Sequence, residues 1–113
     1  MDPPSDGVLK LNFDGSLSPT GAVAGYILQN ASGRLIIAGT RFLHDIPILV
    51  AEAVALRDGL QAAFDTGLPH LQIEGDNRIV IQAVKSEIRT PWRTHILAQD
   101  IRNLLSQFMS PSI

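Results

Sequence analysis

Leu9-Lys10-Leu11-Asn12-Phe13-Asp14 alternates apolar and polar side chains without a break. Leu9, Leu11 and Phe13 share one face; Lys10, Asn12 and Asp14 share the other. A period of two is the signature of a strand. Gly15-Ser16 and Ser18-Pro19-Thr20-Gly21 are rich in breakers and read as a turn, so Asp14 is expected to end the strand. A second apolar run covers residues 22–29, and Asn30-Ala31-Ser32-Gly33 is the next turn signal. Residues 34–42, rich in Ile and Leu, form a third strand candidate. Three strands with short turns predict an antiparallel meander.

The period then changes. Residues 48–66 suit a helix, with Pro47 tolerated at its start and Gly67-Leu68-Pro69 as its stop. Residues 70–74 read as a short strand with Leu71 and Ile73 on one face. Asp76-Asn77 opens a second helix over 78–85, and Thr90-Pro91 breaks the chain. A third helix is predicted over 92–108, its apolar set being Ile96, Ile101, Leu104, Leu105 and Phe108. The order β-β-β-α-β-α-α places the fourth strand parallel to its neighbour through a helical crossover. The expected fold class is α/β: a mixed sheet, meander plus a parallel fourth strand, with helices packed on it. Residues 1–7, rich in Pro, Ser, Asp and Gly, read as a linker or frayed start; residues 8–113 form one domain.

Composition agrees. The 113 residues are 45% apolar and 18% charged, enough for one core and too hydrophobic for disorder. The net charge of −2 carries no global signature of a nucleic-acid binder, though it leaves room for a local basic patch. The absence of cysteine excludes disulfides and thiolate metal sites. The first residues have no basic and apolar segments of a secretory signal, and no apolar run reaches the ~20 residues of a membrane helix.

Glu52 is the most telling residue. With about 100° per residue and Leu56 as zero, Leu49, Ala53, Leu60 and Ala63 fall within roughly 60° of Leu56. Glu52 falls at roughly −40°, inside that apolar stripe. A carboxylate facing a core is costly unless it is paired, protonated or metal-bound. Taken singly, Glu52 reads equally well as a snorkelling side chain, while Asp14 alone reads first as an Asx turn and Asp76 alone first as a helix N-cap. Together they converge. Asp14 and Asp76 follow adjacent parallel strands, whose C-terminal ends share one sheet edge, where ligand sites form. Glu52 lies on the crossover helix above it. Three carboxylates there would repel one another, and Mg²⁺ or Mn²⁺ would resolve the conflict with oxygen ligands.

Lys10-Leu11-Asn12-Phe13-Asp14-Gly15-Ser16, Ala51-Glu52-Ala53-Val54-Ala55-Leu56 and Ile73-Glu74-Gly75-Asp76-Asn77, followed by Val80-Ile81-Gln82-Ala83-Val84, resemble the ribonuclease H family. The likeness is greatest to the reverse-transcriptase-like ribonuclease H domains of plant genomes. The resemblance implies strand order 3-2-1-4-5 and metal-dependent hydrolysis of RNA in RNA–DNA hybrids. It implies Asp14, Glu52 and Asp76 as catalytic metal ligands, with Gly15, Ser16 and Asn77 near the RNA 2′-hydroxyls. It also implies an intracellular location, nuclear or cytoplasmic.

The family carries a fifth strand, a further acid and a last helix beyond the third helix seen here. Those elements are expected to be missing, and Asp100 does not match the further acid. Two expectations follow. Activity would be impaired, leaving as the alternative a non-catalytic nucleic-acid-binding or assembly module of the same fold. The 70–74 strand would become an open edge through which two copies associate.

Two weaker signals complete the reading. Trp92 among Lys85, Arg89 and Arg93 suits a phosphate-gripping patch, but also a core indole with surface charges. Phe13-Asp14-Gly15-Ser16-Leu17 resembles the loop of haloacid dehalogenase phosphatases, but Asn12 stands where their Asp nucleophile belongs.

Overall fold

The computed structural model describes residues 8–44, 46–75, 92–108 and 110–112. Strand β1 spans Val8–Ser18, β2 Gly21–Asn30 and β3 Leu35–Leu43. Helix α1 spans Ile48–Asp65, β4 His70–Glu74, α2 Trp92–Leu105 and β5 Ser110–Ser112. The sheet order is β3-β2-β1-β4-β5. β1 and β2 pair antiparallel, as do β2 and β3; β4 is parallel to β1, and β5 to β4. The mixed sheet with helices packed on it is therefore the one the alternating pattern predicts. The 78–85 helix lies outside the described residues.

Three expectations need correction. β1 does not end at Asp14. It runs through Gly15 and Ser16 to Ser18, because both residues stay in register with Ala24 and Val23 of β2. Only Pro19-Thr20 turn, closed by the Ser18 hydroxyl donating to the Gly21 carbonyl at 3.1 Å. The fifth strand is present: Ser110, Pro111 and Ser112 pair with His70, Leu71 and Gln72. β4 is consequently flanked on both sides, and association through it is not what the sheet offers. Finally, α2 ends at Leu105, and Phe108 is buried after the helix instead of within it.

One face of the sheet carries the core. Leu9, Leu11 and Phe13 of β1, Ala24 and Leu28 of β2, and Leu71 and Ile73 of β4 form one core cluster with the buried side chains of α1. α1 buries Ala53, Leu56, Leu60 and Ala63, the stripe its periodicity marks out, and also Val54 and Ala55. The second buried side exists because α1 is covered by α2, whose Leu97, Ala98 and Ile101 join the same core. The helix stops where Gly67 adopts φ +79°, a left-handed conformation that costs glycine little. The Gly67 amide donates to the Phe64 carbonyl at 3.0 Å, and the Thr66 hydroxyl donates to the Ala63 carbonyl at 2.7 Å. On the outer side, Asp58 accepts from Arg41 Nε at 2.8 Å and Arg57 Nη2 at 3.2 Å, joining β3 to α1.

Of the two outer strands, β5 is short and contains Pro111, which lacks an N–H; both features discourage further pairing. β3 is nine residues long, with Leu35, Ile36, Ile37 and Phe42 all exposed. Its only irregularity is a register shift opposite Leu28 and Gln29. The edge liability thus sits on β3. Concentrated protein is expected to associate through this strand, and Ile36→Lys to shift it toward monomer with a stability change within about 0.5 kcal/mol. Light scattering against concentration checks this; association unchanged by the substitution would place the contact elsewhere.

Candidate metal and nucleic-acid site

The core faces of Leu9, Leu11 and Phe13 fix where Asp14 goes. Strand alternation turns its exposed carboxylate to the sheet face opposite α1, together with Lys10 and Asn12. Asp14 pairs with Gly25 of β2 and, with Asn12, Ile27, Ala38 and Thr40, lines an open cleft of about 480 Å³. On its other flank β1 is accompanied by β4 only as far as the Asn12–Glu74 pair. Beyond Asn12 no described strand follows β1 on that side. β1 thus runs on past its last pairing with β4, at the C-terminal end of the parallel pair.

Glu52 comes to this end of β1 from α1. It is half-buried, one residue from Ala51 (0% exposed) and from Ala53 (1%), as its place in the apolar stripe predicts. Gly15 shows how closely helix and strand meet. A Cβ built on Gly15 would lie 2.8 Å from the Glu52 amide nitrogen and 2.9 Å from Glu52 Cγ. It would also lie 3.1 Å from the Ala51 carbonyl carbon. The turn of α1 that carries Glu52 therefore rests on the residue following Asp14.

Asp76 and Asn77 lie outside the described residues. Gly75, which precedes them, has φ +150°, and a Cβ there would lie 2.5 Å from Phe13 Cε1. So the residue before Asp76 packs on the residue before Asp14. Among the described residues no group of three or more His, Cys, Asp or Glu could hold a metal ion. Asp14 and Glu52 are the two described carboxylates of the predicted set. They are hard oxygen donors, the chemistry that suits Mg²⁺ or Mn²⁺.

Ser16, predicted at a turn, is an exposed strand residue paired with Val23. Lys10 Nζ lies 3.4 Å from a Glu74 carboxylate oxygen, each side chain about two-fifths exposed, so the pair adds little stability. Sequence reading missed this pair, although positions 10 and 74 fall on the same sheet face. Asp100 is a surface residue as expected, 4.0 Å from Arg57 Nη1. The side chains of Lys85, Arg89, Trp92 and Arg93 lie outside the described residues.

A meander continued by a crossover to a parallel strand, in the order β3-β2-β1-β4-β5, is the ribonuclease H-like fold. Comparisons agree. Ribonuclease H1 of the halophilic archaeon Halobacterium salinarum superposes with a TM-score of 0.76 at 25% identity, over 94% of this chain and 83% of that one. The N-terminal ribonuclease H domain of a Mycobacterium tuberculosis protein gives 0.79 at 18% identity, over 93% and 78%. A compost-derived ribonuclease H1, solved in complex with an RNA/DNA hybrid, gives 0.71 at 12% identity, over 92% and 81%. No curated protein sequence matches the chain. Residues 12–113 match the reverse-transcriptase-like family, and the chain belongs to it. The strand reading of β2 also leaves no place for the haloacid dehalogenase arrangement, which needs a helical element there. Among the described residues no helix is long and apolar enough to cross a membrane.

Proposed function

We propose that this domain binds nucleic acid where β1 outruns β4. Its ligand on this reading is an RNA–DNA hybrid, held through a hard divalent cation. Asp14 and Glu52 would hold that cation, with Asp76 as a third donor. The observation that carries the reading is the contact between Gly15 and the Glu52 turn of α1. Family membership and the hybrid-bound relative of the same fold support this choice of substrate class.

Electrostatics explain why a cation belongs to the reading. Carboxylates on a chain of net charge −2 repel a polyphosphate backbone. A divalent ion is the largest local charge in such a site and reverses that sign. The chain's own part is then to fix the carboxylates and to present Gly15, Ser16 and Asn77 toward the minor groove, where 2′-hydroxyls distinguish RNA from DNA.

Binding is placed ahead of cleavage because among the described residues no group of three or more His, Cys, Asp or Glu could hold a metal ion. Hydrolysis of the RNA strand is the second reading. The Gly15–Glu52 approach favours it, and it further requires Asp76 at the same cation. The bound ion would supply Lewis-acid stabilisation of a phosphoryl centre.

Fluorescence anisotropy of a labelled hybrid, in Mg²⁺ and in EDTA, tests the proposal. Binding is expected to tighten with Mg²⁺, and Asp14→Asn to weaken it by about tenfold or more, equivalent to ~1.4 kcal/mol. Equal binding in EDTA, unchanged by the substitution, would reject the site. Strand scission in Mg²⁺ or Mn²⁺ that Asp14→Asn abolishes would establish the hydrolytic reading.

A further inference from the structure

We infer that Gly15 is a positioning residue: its missing side chain is what lets the Glu52 turn of α1 close onto β1 beside Asp14. The inference rests on the metal-site reading above and deepens it by naming what sets the spacing of the two carboxylates.

Glycine in a strand interior is unfavourable by about 0.5–1 kcal/mol and needs a local reason. Backbone conformation is not the reason at position 15. Gly15 is in extended β1, paired with Ala24, and is not one of the glycines with positive φ. Any L-residue can adopt that conformation. What excludes a side chain is the helix: contacts of 2.8 and 2.9 Å are shorter than real Cβ atoms make. One of them is to a backbone nitrogen, which no rotamer change can move.

α1 has nowhere easy to go. The neighbouring Ala51, Ala53, Ala55 and Leu56 are buried to 1% exposure or less, so lifting the Glu52 turn would open the core beneath it. A Cβ at position 15 must therefore move the Glu52 turn away from Asp14, or move the Asp14 segment of β1 outward. Metal–oxygen distances tolerate deviations of about 0.2 Å, so displacements of a few tenths of an ångström separate the donors. Gly25 supplies the internal control. It is the cross-strand partner of Asp14, yet a Cβ there would make only ordinary contacts, 3.7 Å to the Gly39 carbonyl oxygen and 3.8 Å to Thr40 Cγ2.

The experiment titrates Mn²⁺ alone into wild type, Gly15→Ala, Gly25→Ala and Asp14→Asn by calorimetry, with thermal unfolding recorded for each. Gly15→Ala is expected to weaken Mn²⁺ binding by about tenfold or more while Gly25→Ala leaves it unchanged. Mn²⁺-dependent hybrid binding by Gly15→Ala is expected to recover at raised Mn²⁺, since its carboxylates are displaced but present; that of Asp14→Asn is not. A folded Gly15→Ala with wild-type Mn²⁺ affinity, beside an Asp14→Asn that has lost it, overturns the positioning role and leaves the metal site standing. Wild type that binds no Mn²⁺ overturns both. Should Gly15→Ala not fold, Asp14→Asn and Glu52→Gln are combined in metal-free protein. Non-additive stabilities would uphold the juxtaposition, and additive ones would overturn it.

Discussion

Leu11→Ala is expected to lower the unfolding free energy by about 3–5 kcal/mol. Leu11 is fully buried in the central strand, with Leu28 of β2 and Ile73 of β4 as its register partners. Above it, α1 approaches at Gly59, where an added Cβ would lie 2.5 Å from Leu11 Cδ1 and 3.1 Å from Tyr26 Cβ. The helix thus already rests on Leu11 and cannot sink far into the space the truncation leaves. A domain of this kind has only about 5–15 kcal/mol in total, so a single truncation takes a large share.

The same contact makes a second measurement decisive. In wild type, Gly59→Ala gains about 1 kcal/mol of helix propensity but loses about 1–3 kcal/mol to overpacking. Overpacking wins because Leu11 has no exposed surface to move toward. In the Leu11→Ala background the methyl group enters the vacated volume, and the propensity term remains. Gly59→Ala is then expected to be neutral or stabilising. Urea denaturation of the four proteins checks this. Additive effects, or a Leu11→Ala loss below ~1.5 kcal/mol, would mean that α1 does not seat on Leu11 as described.

The elements that sequence discloses best are those whose burial follows a simple period. Leu9, Leu11 and Phe13 mark the core face of β1, and Leu56, Leu60 and Ala63 mark that of α1. β1 carries one packing surface, and the α1 stripe is the side that meets the sheet; the second buried side of α1, Val54 and Ala55, follows from its cover by α2 and not from the period. The end of β1 was hidden because Gly15 and Ser16 are good turn residues by composition. Cross-strand pairing with β2 decides otherwise, and pairing is not local information. The three residues of β5 carry no period at all; their place comes from lying beside His70–Gln72. Of the site, sequence alone marks out Glu52, because a carboxylate in an apolar stripe is visible without coordinates. The roles of Gly15 and Gly75 were not visible. A glycine beside a catalytic-looking Asp suggests a turn, and only the nearness of α1 and Phe13 shows that it makes room instead.

Gly75→Ala is expected to cost about 2–4 kcal/mol, by two routes that can be separated. The first is conformational: φ +150° lies where L-residues are strained. The second is steric: the new methyl would lie 2.5, 2.7 and 2.9 Å from three carbons of the Phe13 ring. That ring is only 5% exposed and has no solvent side to swing toward. Gly67 provides the comparison. Its φ is +79° and nothing lies within 4 Å of its added Cβ, so Gly67→Ala carries the backbone cost alone, about 1–2 kcal/mol. The excess of Gly75→Ala over Gly67→Ala measures the clash. Phe13→Leu, which removes the ring, should reduce that excess while leaving the conformational part. A displaced Phe13 carries the backbone of Asp14 with it, so Mn²⁺ affinity is expected to fall in Gly75→Ala and not in Gly67→Ala. Equal stability losses in the two alanine variants would show that Phe13 yields freely. Position 75 would then have no steric hold on the strand that carries Asp14.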